Sequence, residues 1–230
     1  MIFNINCGHT VKGSGTGAVG FINESEHTRI LGSKVIKLLE DMEHTVINST
    51  VDYATSVNKS LSDIIDITNK KHCDLFVSIH FNAFNGEASG SEVYISSEAL
   101  KNKSYPFDKA SEVVKNLNKI GFKSRGVKDG GKLYVIRKNY HNCMLIEVCF
   151  VDSKTDTDLY LNNIDAVAVA IVEGITGEKV NDLERCSLPE FEEARTELKN
   201  LGITDGSRPL ENVTREQLFA MLYRFYKKIK

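Results

Sequence analysis

The 230-residue sequence lacks a charge excess of either sign: 29 Lys and Arg stand against 31 Asp and Glu, a formal net of −2. No general basic field exists to gather phosphates, so a nucleic-acid partner is not expected. Also missing are a basic leader followed by an apolar run, and any apolar stretch long enough to cross a bilayer. The opening residues reach the polar Asn4, Asn6 and Gly8 too soon for either. Neither a secretory signal nor a membrane partner is expected, which places synthesis in a reducing cytoplasm. Cysteine is scarce and odd in number, at five. Cys73, Cys143 and Cys149 fall in or beside apolar runs, so they read as packed thiols rather than a disulfide framework. Internal repeats and low-complexity tracts are absent. What remains, 41% hydrophobic and 26% charged, is the composition of an ordinary globular protein with room for one full domain and a small appendage.

Over residues 1–177, short apolar β-rich runs alternate with stretches of helical period. This predicts an α/β fold: a mostly parallel twisted sheet with helices on both faces. The expected strands are 2–6, 45–48, 74–81, 92–96, 133–137 and 144–150. Helical stripes run through Ile30, Leu31, Val35, Leu38 and Leu39, through Leu61, Ile64, Ile65 and Thr68, and through Val113, Val114, Leu117 and Ile120. Asn23 and Glu26 read as an N-cap and its capping-box partner, starting a helix at Glu24. Pro106 suits a first helical turn. One last helix is expected from Leu159 to Ile175, stopping near Gly174 to Gly177. Residues 178–188 read as a linker. Residues 189–230 form a small helical module, with Phe191, Ala194, Leu198 and Leu201 on one helix and Leu218, Met221, Leu222 and Phe225 on another. So small a hairpin has a partner surface, a copy of itself, or only marginal stability.

Three ionisable residues share one structural position. His9 follows the first strand, His80 ends the second long one, and Glu147 interrupts the apolar run 144–150. In open α/β sheets ligands gather beyond the carboxyl ends of the strands. A carboxylate within a buried strand is costly unless paired, metal-bound or functional, which makes Glu147 the loudest signal. Glu24 opens the helix after the first strand and returns to the same sheet end. Two imidazoles and a carboxylate compose an open catalytic zinc site, with Glu147 left as the base. His27, one turn along from Glu24, is a rival ligand. Cys7 beside His9 invites a thiol-nucleophile reading, against which its strand position argues for packing. The glycines of residues 13–20 match neither Walker nor dinucleotide spacing, so no nucleotide is expected. His44, His72 and His141 are expected to be exposed.

These segments carry a resemblance: Asn6-Cys7-Gly8-His9, Ile22-Asn23-Glu24, Ser78-Ile79-His80-Phe81-Asn82-Ala83, Gly90-Ser91-Glu92-Val93-Tyr94 and Ile146-Glu147-Val148-Cys149-Phe150-Val151-Asp152. In order and spacing, residues 1–177 resemble the zinc-dependent N-acetylmuramoyl-L-alanine amidases of the amidase-3 type. The resemblance implies Zn2+ held by His9, Glu24 and His80, favouring Glu24 over His27, with Glu147 as catalytic acid and base. It implies hydrolysis of the amide between N-acetylmuramic acid and L-alanine in bacterial peptidoglycan, with Asn82 and Glu92 orienting ligands or substrate. Cys7 and Cys149 replace residues more usual in the family. The tail resembles half of an S-layer-homology repeat and the short C-terminal modules of clostridial phage endolysins, implying cell-wall polymer binding or self-association. An amidase domain with a small tail and no signal is the arrangement of a phage endolysin that acts on the cell wall in bacteriolysis. The competing readings are a zinc peptidase or deacetylase on another wall amide, and a wall-binding protein without turnover.

Overall fold

The computed structural model describes residues 1–180, 189–204 and 215–228, with side chains described at 1–180, 193–204 and 217–228. The chain divides into two compact units, Met1–Glu178 and Lys179–Lys230.

In the first unit the strands are β1 (Ile2–Cys7), β2 (Lys12–Gly13), β3 (Thr45–Asn48), β4 (Tyr53–Ala54), β5 (Leu75–Asn82), β6 (Ser91–Ile95), β7 (Ser124–Asp129) and β8 (Cys143–Phe150). Its helices are α1 (Glu24–Asp41), α2 (Val57–Asn69), α3 (Ser97–Asn102), α4 (Phe107–Ile120), α5 (Tyr134–Arg137), α6 (Lys154–Leu161) and α7 (Ile164–Thr176). Six strands form one sheet in the order β3-β1-β5-β8-β6-β7. All neighbours are parallel except β6 and β8, so the mostly parallel expectation holds with an antiparallel step at one flank.

Because side chains alternate along a strand, each strand sends one set of residues to each face. One face carries Phe3, Ile5, Val77, Ile79, Met144, Ile146 and Val148, all fully buried. Against it pack α1 through Leu31, Val35 and Leu39 and α4 through Val113 and Leu117, while α7, with Val167, Ile171 and Ile175 buried, packs against α1 and α4. Each contributes apolar residues at helical spacing, and burying one such side chain contributes about 1.5–3 kcal/mol. The opposite face is covered by less. Ile64 and Ile65 of α2 and Val135 and Ile136 of α5 close over Phe76, Cys143 and Leu145 near the strands' amino ends. Beyond them the same face turns polar, with Ser78 and His80 on β5 and Glu147 on β8. This change of covering is what positions the site.

Several expectations are corrected. Residues 133–137 are not a strand: Tyr134–Arg137 form the single helical turn α5, whose buried Val135 and Ile136 cap the sheet. The strand in that region is β7, which the sequence hides because its only β-branched residue is Val127. The single last helix is two, α6 and α7, meeting at an 86° bend. Asn23 is the N-cap of α1, but no side-chain capping bond forms; its Oδ1 accepts from the Ser25 hydroxyl instead. Pro106 is the N-cap of α4 rather than a residue of its first turn. Ile30 lies outside the buried stripe of α1, 41% exposed. No single helix among the described residues is long and apolar enough to cross a membrane.

In the second unit, α8 (Pro189–Asn200) and α9 (Arg215–Lys228) are helical, and the Arg224 guanidinium donates to the Ile203 carbonyl. The expected linker falls mostly on residues 181–188, outside the described residues.

Candidate metal centre

The parallel register aligns the carboxyl ends of β1, β5 and β8 at one edge. His9 lies two residues past β1, in the left-handed region at φ 64°. A non-glycine residue there is held by its surroundings rather than by its own preference. Arg29 of α1 does the holding: its guanidinium donates to the backbone carbonyls of Gly8, His9 and Val51 while its Nε meets Asp52. His9 Nδ1 lies 3.1 Å from the Gly15 carbonyl, which accepts a hydrogen bond from that nitrogen and leaves Nε2 facing inward. Nε2 stands 3.1 Å from Glu24 Oε1.

Glu24 is only 3% exposed at the N-terminus of α1. Its Oε2 accepts from the Ala18 amide, and its Oε1 accepts from the Phe81 amide and lies 3.1 Å from His80 Nδ1. Burial alone would raise its pKa, but the contacts to His80 and His9 outweigh burial and hold the carboxyl far below the usual range. Burial lowers the pKa of His80, whereas the Glu24 contact overcomes burial at His9 and raises it. The two rings meet edge to face at 4.8 Å. Room for them comes from two glycines. A Cβ at Gly8 would sit 2.3 Å from the His80 ring, and one at Gly17 would fall within 3 Å of both Glu24 and His9.

Donor atoms of His9, Glu24 and His80 all lie within 4.8 Å of one another and could hold a metal ion. The residues fit such an ion: two imidazole nitrogens and one carboxylate oxygen converge, and the second-side contacts at Gly15, Ala18 and Phe81 fix their orientation.

Glu147 pairs in register with His80 across β5 and β8, and with Glu92 across β6 and β8. Its Oε2 is buried without a hydrogen-bond partner. Burial first, then the charges of Glu24 and Glu92, push its pKa up to about 8. Glu92 is treated differently. Because β6 runs antiparallel to β8, its amino end reaches the carboxyl edge of β8. There Glu92 receives Arg125 Nε at 2.6 Å, Lys128 Nζ, the Tyr94 hydroxyl and the Asn82 amide. Burial raises its pKa, but these donors prevail and lower it. Asn82 thus holds Glu92 rather than facing open space.

The remaining expectations resolve individually. His27 is not with the cluster; its ring packs against Tyr160 and Phe81. Cys7 is a buried thiol whose pKa burial raises, which disfavours a nucleophile. His72 is exposed as expected. His44 is instead half-buried against the Phe3 ring, and His141 is half-buried with Nε2 enclosed. Arg29, Arg125 and Lys128 escaped the sequence reading; each is one basic residue among many, and only the fold brings it to the site.

An uncharacterized protein of Clostridium perfringens strain 13 is 32% identical over 188 residues, covering 79% of this chain and 53% of that protein. The endolysin of Bacillus phage SPP1 is 31% identical over 182 residues, covering 74% of this chain and 63% of the endolysin. The chain therefore spans about half the length of the first of these relatives. Among solved structures, the catalytic domain of the CD27L endolysin targeting Clostridia Difficile aligns with a TM-score of 0.71 and 28% identity, covering 79% of this chain and 99% of that domain. Residues 4–177 match the amidase-3 family, and over that span the chain belongs to the N-acetylmuramoyl-L-alanine amidases.

Proposed function

We propose that the chain hydrolyses the amide joining the lactyl group of N-acetylmuramic acid to L-alanine in peptidoglycan. The observation that carries this reading is the convergence of His9, Glu24 and His80 beside a carboxylate, Glu147, whose Oε2 is enclosed without a partner, in a chain of the amidase family. Held by His9, Glu24 and His80, a zinc ion would polarise the scissile carbonyl and acidify a water molecule.

The other parts belong to the chain itself. Glu147 takes the proton of the attacking water and returns it to the departing amine, so one residue serves as base and then acid. Its enclosed Oε2 gives it a proton affinity high enough for the second task. Glu24 stays ionised throughout, Arg29 holds the His9 backbone and the Gly15 carbonyl fixes its ring. Glu92, held ionised by Arg125 and Lys128, flanks Glu147 without competing for its proton.

Mass spectrometry of purified peptidoglycan digested with the zinc-loaded protein tests the reading. Free stem peptides beginning with L-alanine are expected. Cleavage confined to the peptide, or release of acetate alone, would assign a different amide and replace the proposal.

Four described cysteines are free and buried, which supports synthesis in a reducing cytoplasm before action at the wall, as in a phage endolysin. For the unit Lys179–Lys230 we propose association with wall polymer or with a second copy, supported by the exposed Phe219, Leu222 and Tyr223 of α9.

A further inference from the structure

In the first unit Phe3, Phe76, Phe81, Phe122 and Phe150 are each at most 2% exposed, whereas Phe21 is 60% exposed and Phe84 78%. A lone exposed apolar side chain is ordinary, but these two share one mounting. The Phe21 amide donates to the Val151 carbonyl at 2.8 Å, and the Phe84 amide to the Asp152 carboxylate at 3.0 Å. Val151 and Asp152 are consecutive and directly follow β8. Both loops are pinned. In one, the Glu24 amide donates to the Ala18 carbonyl, and Gly20 lies so close to Val151 that a Cβ would meet its carbonyl oxygen at 2.3 Å. In the other, Gly86 shares the Asp152 carboxylate with Phe84, and Asn85 Oδ1 accepts from the Glu87 and Ala88 amides. Both loops also lead to the metal-ligand cluster. The Ala18 and Phe81 amides hold Glu24, and Phe21 and Phe84 each stand three residues further along, no more than about 10 Å of backbone. Residues 14–23 and 81–86 contain no charged side chain.

Resting on the amidase reading, we propose that Phe21 and Phe84 form a platform for the glycan strand, taking sugars that neighbour the muramic acid bearing the scissile amide. Connectivity brings them there. The lactyl group ties the scissile carbonyl to its sugar, so the adjoining sugars pass close to the metal ligands. Chemistry selects the same occupant. A pyranose offers a flat C–H face for an aromatic ring to cover, while the hydroxyls at its edge stay in water. The stem peptide carries charges for which an uncharged patch has no partner. An anionic polymer or lipid surface would require cations, and these two loops hold none.

The test gives the zinc-loaded full chain two substrates with the same L-alanyl-D-isoglutamine dipeptide. One carries it on N-acetylmuramic acid alone, the other on a tetrasaccharide of alternating N-acetylglucosamine and N-acetylmuramic acid. Per scissile bond, a preference of about tenfold in kcat/KM for the tetrasaccharide is expected, expressed in KM, the weight of two aromatic contacts. Replacing both Phe21→Ala and Phe84→Ala brings the ratio near one and leaves the rate on the single sugar unchanged, while Phe84→Trp keeps the preference. A native ratio of one, or a ratio unchanged in the double variant, overturns the proposal and leaves the amidase reading intact. Failure to cleave either substrate overturns that reading instead. The platform is then judged by titrating tetra-N-acetylchitotetraose into the metal-free protein. Ring NMR shifts at Phe21 and Phe84 support it, and their absence refutes it. A native dimer that the double variant loses in sedimentation would overturn it in favour of contact between copies.

Discussion

Glu24 and Glu147 stand at the same edge of one sheet, both largely removed from water, and their surroundings are opposite. Glu24 receives two backbone amides and faces two imidazoles, so its charge is stabilised from several directions. Glu147 has one oxygen enclosed with no partner and two other carboxylates for company. The comparison teaches how one fold assigns two roles to one residue type. Under the proposed function, the carboxylate that stays an anion is surrounded by donors, and the one that exchanges a proton is denied them.

The largest effects come from removing one member of each kind. Replacing His80 with Ala should remove both zinc and lysis, because two protein donors do not retain the ion. Replacing Glu147 with Gln should leave about one zinc per chain and reduce lysis roughly 10²–10⁴-fold, the usual weight of general acid–base catalysis. Atomic absorption together with a turbidity assay on cell walls separates the two. Stoichiometric zinc in His80→Ala would remove that residue from the ligand set, and full lysis in Glu147→Gln would remove the proposed base.

A second effect of several kcal/mol appears in metal-free protein as a function of pH. Glu147 has a folded pKa near 8, above the unfolded value of about 4.3. Its neutral form therefore supports folding fully below pH 4, and that support is lost as pH rises through 8. Glu24 has the reverse sign: its contribution is present above about pH 4.3 and disappears as pH falls through its depressed folded value. Between pH 5 and 9, native protein should lose roughly 3–5 kcal/mol relative to Glu147→Gln, since each pKa unit is worth about 1.4 kcal/mol. Urea unfolding of both proteins in chelator measures this. Parallel stability curves would show that Glu147 is solvated after all.

The same contrast explains what was readable in advance. His9, His80 and Glu147 announced themselves because a polar residue at or inside an apolar strand is conspicuous, and Glu24 because it opens a helix that returns to the strand ends. The central strands were visible for the same reason, as unbroken apolar runs such as 144–150. Failures came where burial did not follow local pattern. Residues 133–137 are apolar enough for a strand, but four of them close a helical turn over Leu145. β7 is a partly exposed edge strand with no alternation to detect, and its place is set by pairing with β6. Arg29 is one of several basic residues in its helix, and nothing local says that it reaches three carbonyls of other segments.

Arg29 offers the third test, smaller than the first two. Arg29→Ala leaves the three ligands in place but frees the left-handed backbone at His9 and removes donors from the Gly8 and His9 carbonyls. Zinc affinity should fall about 10–100-fold, as expected when a group orienting a ligand is lost. Competition with a chromogenic chelator gives the affinity directly. Unchanged affinity would mean that the β1 loop holds His9 without help.

The smallest effect belongs to His27, which stands one turn from Glu24 and competed with it on sequence grounds. In the structure the two point to different neighbours: Glu24 meets His9 and His80, while the His27 ring packs edge-on to Tyr160 at 5.4 Å and Phe81 at 6.4 Å. Burial lowers its pKa, so at neutral pH it behaves as an aromatic packing residue, with Nδ1 3.4 Å from the Tyr160 hydroxyl. His27→Gln should therefore keep one zinc per chain and change lysis less than twofold. Its cost is to packing, about 0.5–1.5 kcal/mol for an aromatic contact, or a few degrees of Tm in a unit of this size. Calorimetry alongside zinc analysis decides the matter. A fall in bound zinc with unchanged Tm would move His27 into the metal centre, and would require the α1 helix to present its first turn differently from the way Glu24 now anchors it.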